Sequence, residues 1–223
     1  MVKKLGIALL CAALGTTLYA REDISTSKLF IGLELESTNV DSSTDVFLGN
    51  DLKFSIDSDS TVEYGVRLGA EKEDWRTTLL YTYYNNTEHN NYNNKEQDRE
   101  VTMNKGSMLL DYFLWSTGSS DYNIKPYIGA HIGYMSYEVS GIVKTVNHPD
   151  VNVIYADDTG LFYGGQAGIA MTISEVVELD LSYKYSLTSL DDMAVSINNT
   201  SLNNAVTSID NMGSVAFSIN YFY

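Results

Sequence analysis

The sequence predicts an all-β fold: an eight-stranded antiparallel up-and-down transmembrane β-barrel with short periplasmic turns and long extracellular loops. Three observations predict it. An export signal opens the chain, eight later segments alternate apolar and polar residues, and the connections between these segments are short and long in turn. Because lipid cannot satisfy backbone N–H and C=O groups, strands cross a bilayer only as a closed sheet.

The first 20 residues have the layout of a cleaved secretory signal peptide. Lys3 and Lys4 give a basic start, residues 5–18 are apolar and small, and Ala20 supplies a small residue before the cut. The apolar run is too short for an ordinary transmembrane helix, which needs about 20 residues. We therefore expect a signal at residues 1–20 and an outer-membrane β-barrel at residues 21–223.

The composition excludes several classes of function. The formal net charge is −15, and it becomes −17 once Lys3 and Lys4 leave with the signal, so we expect no nucleic-acid binding. Cys11 is the only cysteine and lies inside the signal, which leaves no thiol for a disulfide or a metal site. His89 and His148 lie in polar connections without metal-ligand spacing. We expect no metal and no cofactor.

Period-two alternation over eight segments is the main evidence for strands. Each segment is near the 9–11 residues that a tilted membrane strand requires. The apolar faces of the eight segments are centred on Leu33, Val66, Leu79, Leu110, Ile132, Ile169, Leu181 and Phe217.

The connections between the segments alternate in length. Residues 71–74, 116–122 and 174–176 are short, as expected for periplasmic turns. Four long polar stretches are predicted to be mobile surface loops, with a short strand extension or a loop helix as an alternative in the first and the last. These stretches are residues 39–60, 85–100, 140–158 and 188–211.

Acidic residues predominate in the long stretches. A solvated rim is the plain interpretation of this charge. The functional hypothesis is that the carboxylates hold divalent cations that bridge to anionic lipopolysaccharide, or that they attract cationic partners.

Alternation alone also fits a soluble barrel whose apolar face points inward. Two features favour the membrane. The polar face is rich in glycine, for example Gly32, Gly65 and Gly129, as a narrow interior requires. Tyrosine and tryptophan cluster at the strand ends on the apolar face, for example Trp75 and Tyr134, as in the aromatic girdles of a membrane barrel.

Three segments of the second half, residues 127–134, 162–169 and 177–185, resemble the last strands of small opacity-type, porin-superfamily outer-membrane barrels. The chain ending is similar to the assembly signal that the barrel-insertion machinery reads in that family, although the family typically ends in Phe. The residues of this signal are Phe217, Ile219, Tyr221, Phe222 and Tyr223. The resemblance implies the outer membrane of a Gram-negative bacterium, with outer-membrane lipid, lipopolysaccharide and the insertion machinery as partners.

Charged residues on the inward face are interpreted as an ion-pair network that fills a narrow interior, because charges out of bulk water must be paired. A thin hydrated path is the alternative, although an eight-stranded barrel is just wide enough for side chains to fill it. The predicted network consists of Glu34, Glu36, Glu63, Arg67, Arg76, Lys105, Asp111, His131, Glu178, Asp180 and Lys184.

The leading expectation is a non-enzymatic structural or surface-interaction protein whose long acidic loops form the contact surface. A narrow porin-like channel for small solutes or ions is the second hypothesis. A lipid-modifying enzyme is the third, with His131 as its candidate base, but Gly133 and not a serine occupies the next inward position. No catalytic residue is predicted.

Overall fold

A computed structural model describes residues 27–47, 53–55, 60–92, 95–119, 122–145, 151–197 and 200–223. The predicted signal at residues 1–20 and His148 lie outside these residues. Within the described part, no helix is long and apolar enough to cross a bilayer.

The described residues form eight long strands and two short ones. The bounds are β1 (Lys28–Phe47), β2 (Lys53–Ser55), β3 (Ser60–Lys72), β4 (Trp75–Tyr92), β5 (Lys95–Phe113), β6 (Thr117–Gly118), β7 (Asn123–Thr145), β8 (Val151–Ser174), β9 (Val177–Ile197) and β10 (Thr200–Phe222).

The long strands form one closed antiparallel sheet. Each pairs with its neighbours in the order β1, β3, β4, β5, β7, β8, β9, β10. The circle closes because β10 pairs with β1, from Phe30 opposite Phe222 to Thr44 opposite Thr207. The predicted fold class, an eight-stranded up-and-down barrel, is confirmed. Among the described residues, each long strand pairs on both sides at the level of the apolar wall, as lipid requires.

The alternation of the sequence places apolar side chains on the outer wall. Along β1, Leu33 is 68% exposed, whereas its neighbours Glu34 and Gly32 are buried. A soluble barrel has the opposite arrangement, with its apolar face inside. Exposed large apolar side chains of the wall include Ile31, Leu35, Val66, Leu68, Met108, Leu110, Ile128, Ile132, Ile169, Leu181, Val215, Phe217 and Ile219.

Exposed aromatic rings flank this apolar wall at two levels. Trp75, Trp115 and Tyr221 lie near the chain termini and the short turns, which we call the terminal end of the barrel. Tyr134 and Tyr185 lie toward the opposite end. Such rings are enriched at membrane–water interfaces, so the two levels mark the borders of the apolar band.

The strands are longer than the sequence predicts. The pairing of β4 with β5 continues to Tyr92 opposite Lys95, and that of β7 with β8 continues to Lys144 opposite Val151. The prediction of loops at residues 85–100 and 140–158 is therefore wrong for most of their length. Strand residues also occupy most of 39–60 and 188–211. The error arises because these stretches are rich in Asn, Asp, Ser and Thr, a composition that was interpreted as loop. We call this half of the barrel the ribbon end.

Inward glycines make room for large neighbours across the narrow interior. A Cβ on Gly133 would collide with the ring of Phe162, and one on Gly168 would lie 2.6 Å from the Tyr127 hydroxyl. The glycines of the polar face therefore determine which large side chains the interior holds, since interiors are close-packed.

Candidate functional site

The interior at membrane level holds all eleven side chains of the predicted polar network in buried positions. Alternation places them on the inner face of six of the eight long strands. Ten of them form two groups along the barrel axis, and His131 is the eleventh. The central charged layer consists of Glu34, Glu36, Glu63, Arg67, Lys105 and Lys184. The terminal charged layer, nearer the chain termini, consists of Arg76, Asp111, Glu178 and Asp180 together with Lys125 and Glu71.

Two lysines connect the three carboxylates of the central charged layer. Lys184 Nζ donates to Glu34 Oε1 at 2.5 Å and to Glu36 Oε2 at 3.0 Å. Lys105 Nζ donates to the other oxygen of Glu36 at 3.0 Å and to Glu63 Oε1 at 2.9 Å. Glu36 is thus shared by two ammonium groups. Each contact joins strands that are far apart in sequence, so the network braces the barrel across its interior.

The remaining members complete the central charged layer. Arg67 Nη1 lies 3.3 Å from Glu34 Oε2. The hydroxyls of Thr38 and Thr82 donate to the two oxygens of Glu63 at 2.6 Å and 2.7 Å. The layer holds three carboxylates and three cations, so it is electrically neutral. Buried charges are tolerated when they are paired and hydrogen-bonded in this way.

Arg76 organises the terminal charged layer. Its guanidinium lies 2.9 Å from Asp111, 2.9 Å from Glu178 and 2.6 Å from Asp180. The carbon Cζ of Arg76 lies 4.6 Å from the centre of the Tyr127 ring, a cation–π arrangement. The Tyr127 hydroxyl donates to Asp180 Oδ1 at 2.8 Å. Three carboxylates from β5 and β9 thus share one guanidinium, whose fork geometry suits this task.

Two members of the terminal charged layer, Lys125 and Glu71, were not predicted from the sequence. Lys125 Nζ lies 2.6 Å from Glu71 and 2.7 Å from Glu178, and 4.5 Å from the centre of the Phe113 ring. The period-two pattern does predict that both side chains point inward, because Lys125 lies two residues before the inward Tyr127 and Glu71 lies two residues after the inward Gly69. This layer contains four carboxylates and two cations, so it has an excess of negative charge.

His131 lies between the central charged layer and the apolar residues above it. Its Nε2 lies 2.8 Å from the hydroxyl of Ser186 on β9, which the sequence did not place beside it. Its Nδ1 has no hydrogen-bond partner. In a catalytic triad that nitrogen contacts an orienting acid. The pair therefore lacks the third member of a triad.

A small cavity adjoins His131. It has room for one or two water molecules. Its walls include Lys105, Lys184 and Ser107 on the charged side and Phe162 on the apolar side.

The interior of the ribbon end is apolar, which the sequence analysis did not predict. The sequence does contain the pattern that predicts it, because valine, methionine and tyrosine alternate there with polar residues. We call this group the apolar cluster. It consists of Val40, Tyr84, Val101, Met103, Met135, Tyr137, Val139, Ala156, Phe162, Leu190, Ile209 and Met212. The apolar cluster and the two charged layers follow one another along the described interior.

The outer face of the ribbon end carries exposed carboxylates above the aromatic level. Glu138 lies directly opposite Asp157, and Glu100 lies on the neighbouring strand β5. Desolvation, and then the charges of Asp157 and Glu138, raise the pKa of Tyr155. We call Asp98, Glu100, Glu138 and Asp157 the acidic outer face. No group of three or more His, Cys, Asp or Glu in the described part is arranged to hold a metal ion.

Residues 7–210 match the model of the outer membrane protein beta-barrel domain. The chain belongs to this family. The predicted resemblance to small outer-membrane barrels and the outer-membrane location are confirmed. No curated protein sequence matches the chain.

Solved structures of outer-membrane barrels have the same fold. The outer membrane protein OprG from Pseudomonas aeruginosa superimposes with a TM-score of 0.51 at 14% identity, covering 89% of this chain and 96% of that one. Neisserial surface protein A superimposes with a TM-score of 0.49 at 16% identity, covering 87% and 97%. At 14% identity the likeness to OprG shows the fold alone.

Proposed function

We propose that this outer-membrane barrel is a non-enzymatic surface-interaction protein whose acidic outer face contacts cationic partners. The observation that carries the proposal is the position of Glu100, Glu138 and Asp157. They project outward from paired strands above the aromatic level, where a soluble partner has access.

The pairing of the strands supports this role. β4, β5, β7 and β8 remain in unbroken register from the membrane level into the ribbon end. Paired strands hold side chains at fixed spacings, which a mobile loop does not. Like charges directly opposite each other, as in the Glu138–Asp157 pair, destabilise a sheet. A bound cationic group would relieve that repulsion, and the strong negative charge of the chain would speed its arrival.

The proposal is tested by neutralising the carboxylates. Glu100→Gln, Glu138→Gln and Asp157→Asn are combined, and binding of fluorescent polylysine to vesicles carrying the full protein is measured at low salt. We expect weaker binding than with the unchanged protein, and we expect added salt to reduce the difference, since exposed charges are screened.

The matched control neutralises three carboxylates at the terminal end, with Glu73→Gln, Asp74→Asn and Glu175→Gln. Vesicles that expose the ribbon end should bind polylysine equally with and without this change. Equal binding by the ribbon-end variant and the unchanged protein would refute the proposal. If the variant loses only a calcium-dependent attachment to lipopolysaccharide vesicles, the partner is anionic lipid bridged by a divalent cation, and the cationic partner is wrong.

The narrow channel is the alternative. Two charged layers and the apolar cluster lie one after another along the described interior, which supports a barrel without an open path. Planar-bilayer recording distinguishes the two functions: we expect no steady conductance steps from the purified protein, and reproducible steps would favour the channel. The lipid-modifying enzyme has less support, because His131 Nδ1 lacks an orienting acid.

A further inference from the structure

The barrel wall is interrupted between β8 and β9. Below the interruption, Phe162 pairs with Thr188, and above it Tyr155 pairs with Ser196. Residues 156–161 of β8 and 189–195 of β9 lie between these pairs, where the register shifts by one residue. An extra residue in one strand leaves backbone groups unpaired and bends the strand. We call this interruption the seam.

A side chain replaces the backbone ladder at the lower end of the seam. The backbone N–H of Leu161 donates to the hydroxyl of Ser189 at 2.9 Å, and that hydroxyl donates to the Leu161 carbonyl at 3.2 Å. One serine thus makes the cross-strand contacts at this position. One such pair of side-chain hydrogen bonds holds the two strands together less strongly than a continuous ladder of backbone hydrogen bonds, since each hydrogen bond contributes only about 1 kcal/mol net.

The other neighbour of β9 is irregular at the same level. The pairing of β9 with β10 shifts register between Ser201 and Val206, and twice more between Thr207 and Asn211. By contrast, β4, β5, β7 and β8 pair with each other without a shift. The upper part of β9 therefore has irregular pairing with both of its neighbours.

The apolar cluster lies directly behind the seam. Ala156 and Leu190, one on each side of it, are buried members of this cluster. The cluster also contains three methionines, Met103, Met135 and Met212. Methionine side chains adapt to irregular shapes because they are unbranched and flexible. A slender apolar guest could displace them more readily than it could displace branched or aromatic residues.

The seam opens at the border of the apolar band. Leu161 and Leu187 are exposed on the outer wall at its lower edge, with Tyr163 and Tyr185 just below. These exposed leucines and tyrosines lie at the border of the apolar band, where we infer that the lipid leaflet meets water. An amphiphile in the leaflet therefore has its polar end at the height of the seam.

We propose that the seam admits the alkyl chain of a single-chain amphiphile, such as a fatty acid, into the apolar cluster. The polar end stays at the seam, beside the hydroxyls of Ser189 and Thr159. The inference goes beyond the surface interaction proposed above and uses other residues, so either can fail alone.

The central charged layer limits this site to binding. Below the apolar cluster lie Glu36, Lys105 and Lys184, all buried and ion-paired. An alkyl chain cannot pass this layer without separating those charges, which is costly in a low-dielectric interior. The cluster is thus a blind pocket reached from the side, and the bound amphiphile leaves by the route it entered.

The test places a tryptophan in the apolar cluster and a quencher on the guest. Trp75 and Trp115 are the two tryptophans of the chain, and both become Phe in the background protein. Phe162→Trp then reports from the cluster, and Tyr84→Trp serves if the first variant fails to fold. The probe is dodecanoic acid brominated at its terminal carbon, added to vesicles that contain the protein. We expect saturable quenching.

A disulfide across the seam supplies the deciding comparison. Leu161→Cys with Ser189→Cys is measured oxidised and reduced, with Cys11→Ser in the background. Oxidation should abolish the saturable quenching, and reduction should restore it. The control pair, Tyr163→Cys with Leu187→Cys, joins the same strands at the adjacent regular position and should leave quenching unchanged on oxidation.

Two results would overturn the proposal. The first is quenching that is equally strong whether the seam disulfide is closed or open. The second is seam-dependent quenching of the same strength by a phospholipid with brominated acyl chains, which would assign the cluster to membrane lipid instead. The seam variants leave the carboxylates of the acidic outer face unchanged. The quenching result therefore does not depend on whether the protein binds polylysine.

Discussion

The charged layers and the apolar cluster fill the same barrel by different physical means. In the charged layers, each side chain has specific partners, such as Lys184 between Glu34 and Glu36. In the apolar cluster, the contacts of Met135 or Leu190 are non-directional dispersion and burial. The difference teaches where the barrel resists change. Loss of one member of a charged layer leaves its partners as unpaired buried charges, which destabilises the barrel. An apolar cluster can repack around a change of side-chain shape.

The largest expected effect is the loss of Arg76. Arg76→Met leaves Asp111, Glu178 and Asp180 without their shared cation in a fully buried position. Removing one partner of a buried ion pair costs about 3–5 kcal/mol. We expect a decrease of this size in the free energy of unfolding, measured by urea titration in lipid vesicles. Arg76→Lys should recover part of the loss, because it restores charge without the fork. A loss below about 1 kcal/mol would show that the carboxylates are not held by Arg76.

An arginine placed on the outer wall tests which part of that wall lies in lipid. Ile132→Arg places an unpaired cation in the apolar band, at a cost of about 2–4 kcal/mol near the midplane. Ile142→Arg is the matched control, because Ile142 also faces outward from β7 but lies at the ribbon end, in water. We expect a large decrease in unfolding free energy for the first change and almost none for the second. Similar decreases in unfolding free energy for the two variants would show that the membrane border is assigned to the wrong level.

The inward glycines test how tightly the charged layers are packed. A Cβ on Gly129 would collide with the Asp111 carboxylate and lie 2.7 Å from the Leu110 carbonyl oxygen, whereas one on the outward Gly106 would meet nothing within 4 Å. Overpacking costs about 1–3 kcal/mol, so Gly129→Ala should lower the unfolding free energy by that amount. Gly106→Ala should be neutral in the same urea titration. A neutral Gly129→Ala would mean that the terminal charged layer can shift.

Alternation was sufficient to predict the barrel and the inner face of the membrane strands, because one residue of register reverses every side chain. It could not predict the partners. Lys184 and Glu34 are 150 positions apart, and they meet only because the closed sheet brings β9 and β1 to the same level. The apolar cluster was missed for a related reason. Val40, Ala156 and Leu190 lie in stretches whose polar composition was interpreted as loop, and their inward position is fixed only by the strands with which they pair.

The smallest expected effect is a change of shape within the apolar cluster. Met135, like Arg76, is fully buried, and Met135→Leu conserves its volume and apolar character. Such exchanges usually cost less than about 1.5 kcal/mol, well below the cost expected for Arg76→Met. Urea titration of both variants in the same vesicles therefore compares the two kinds of filling directly. If Met135→Leu were as damaging as Arg76→Met, the apolar cluster would be as specific as the charged layers. It would then be too rigid to admit an alkyl chain through the seam.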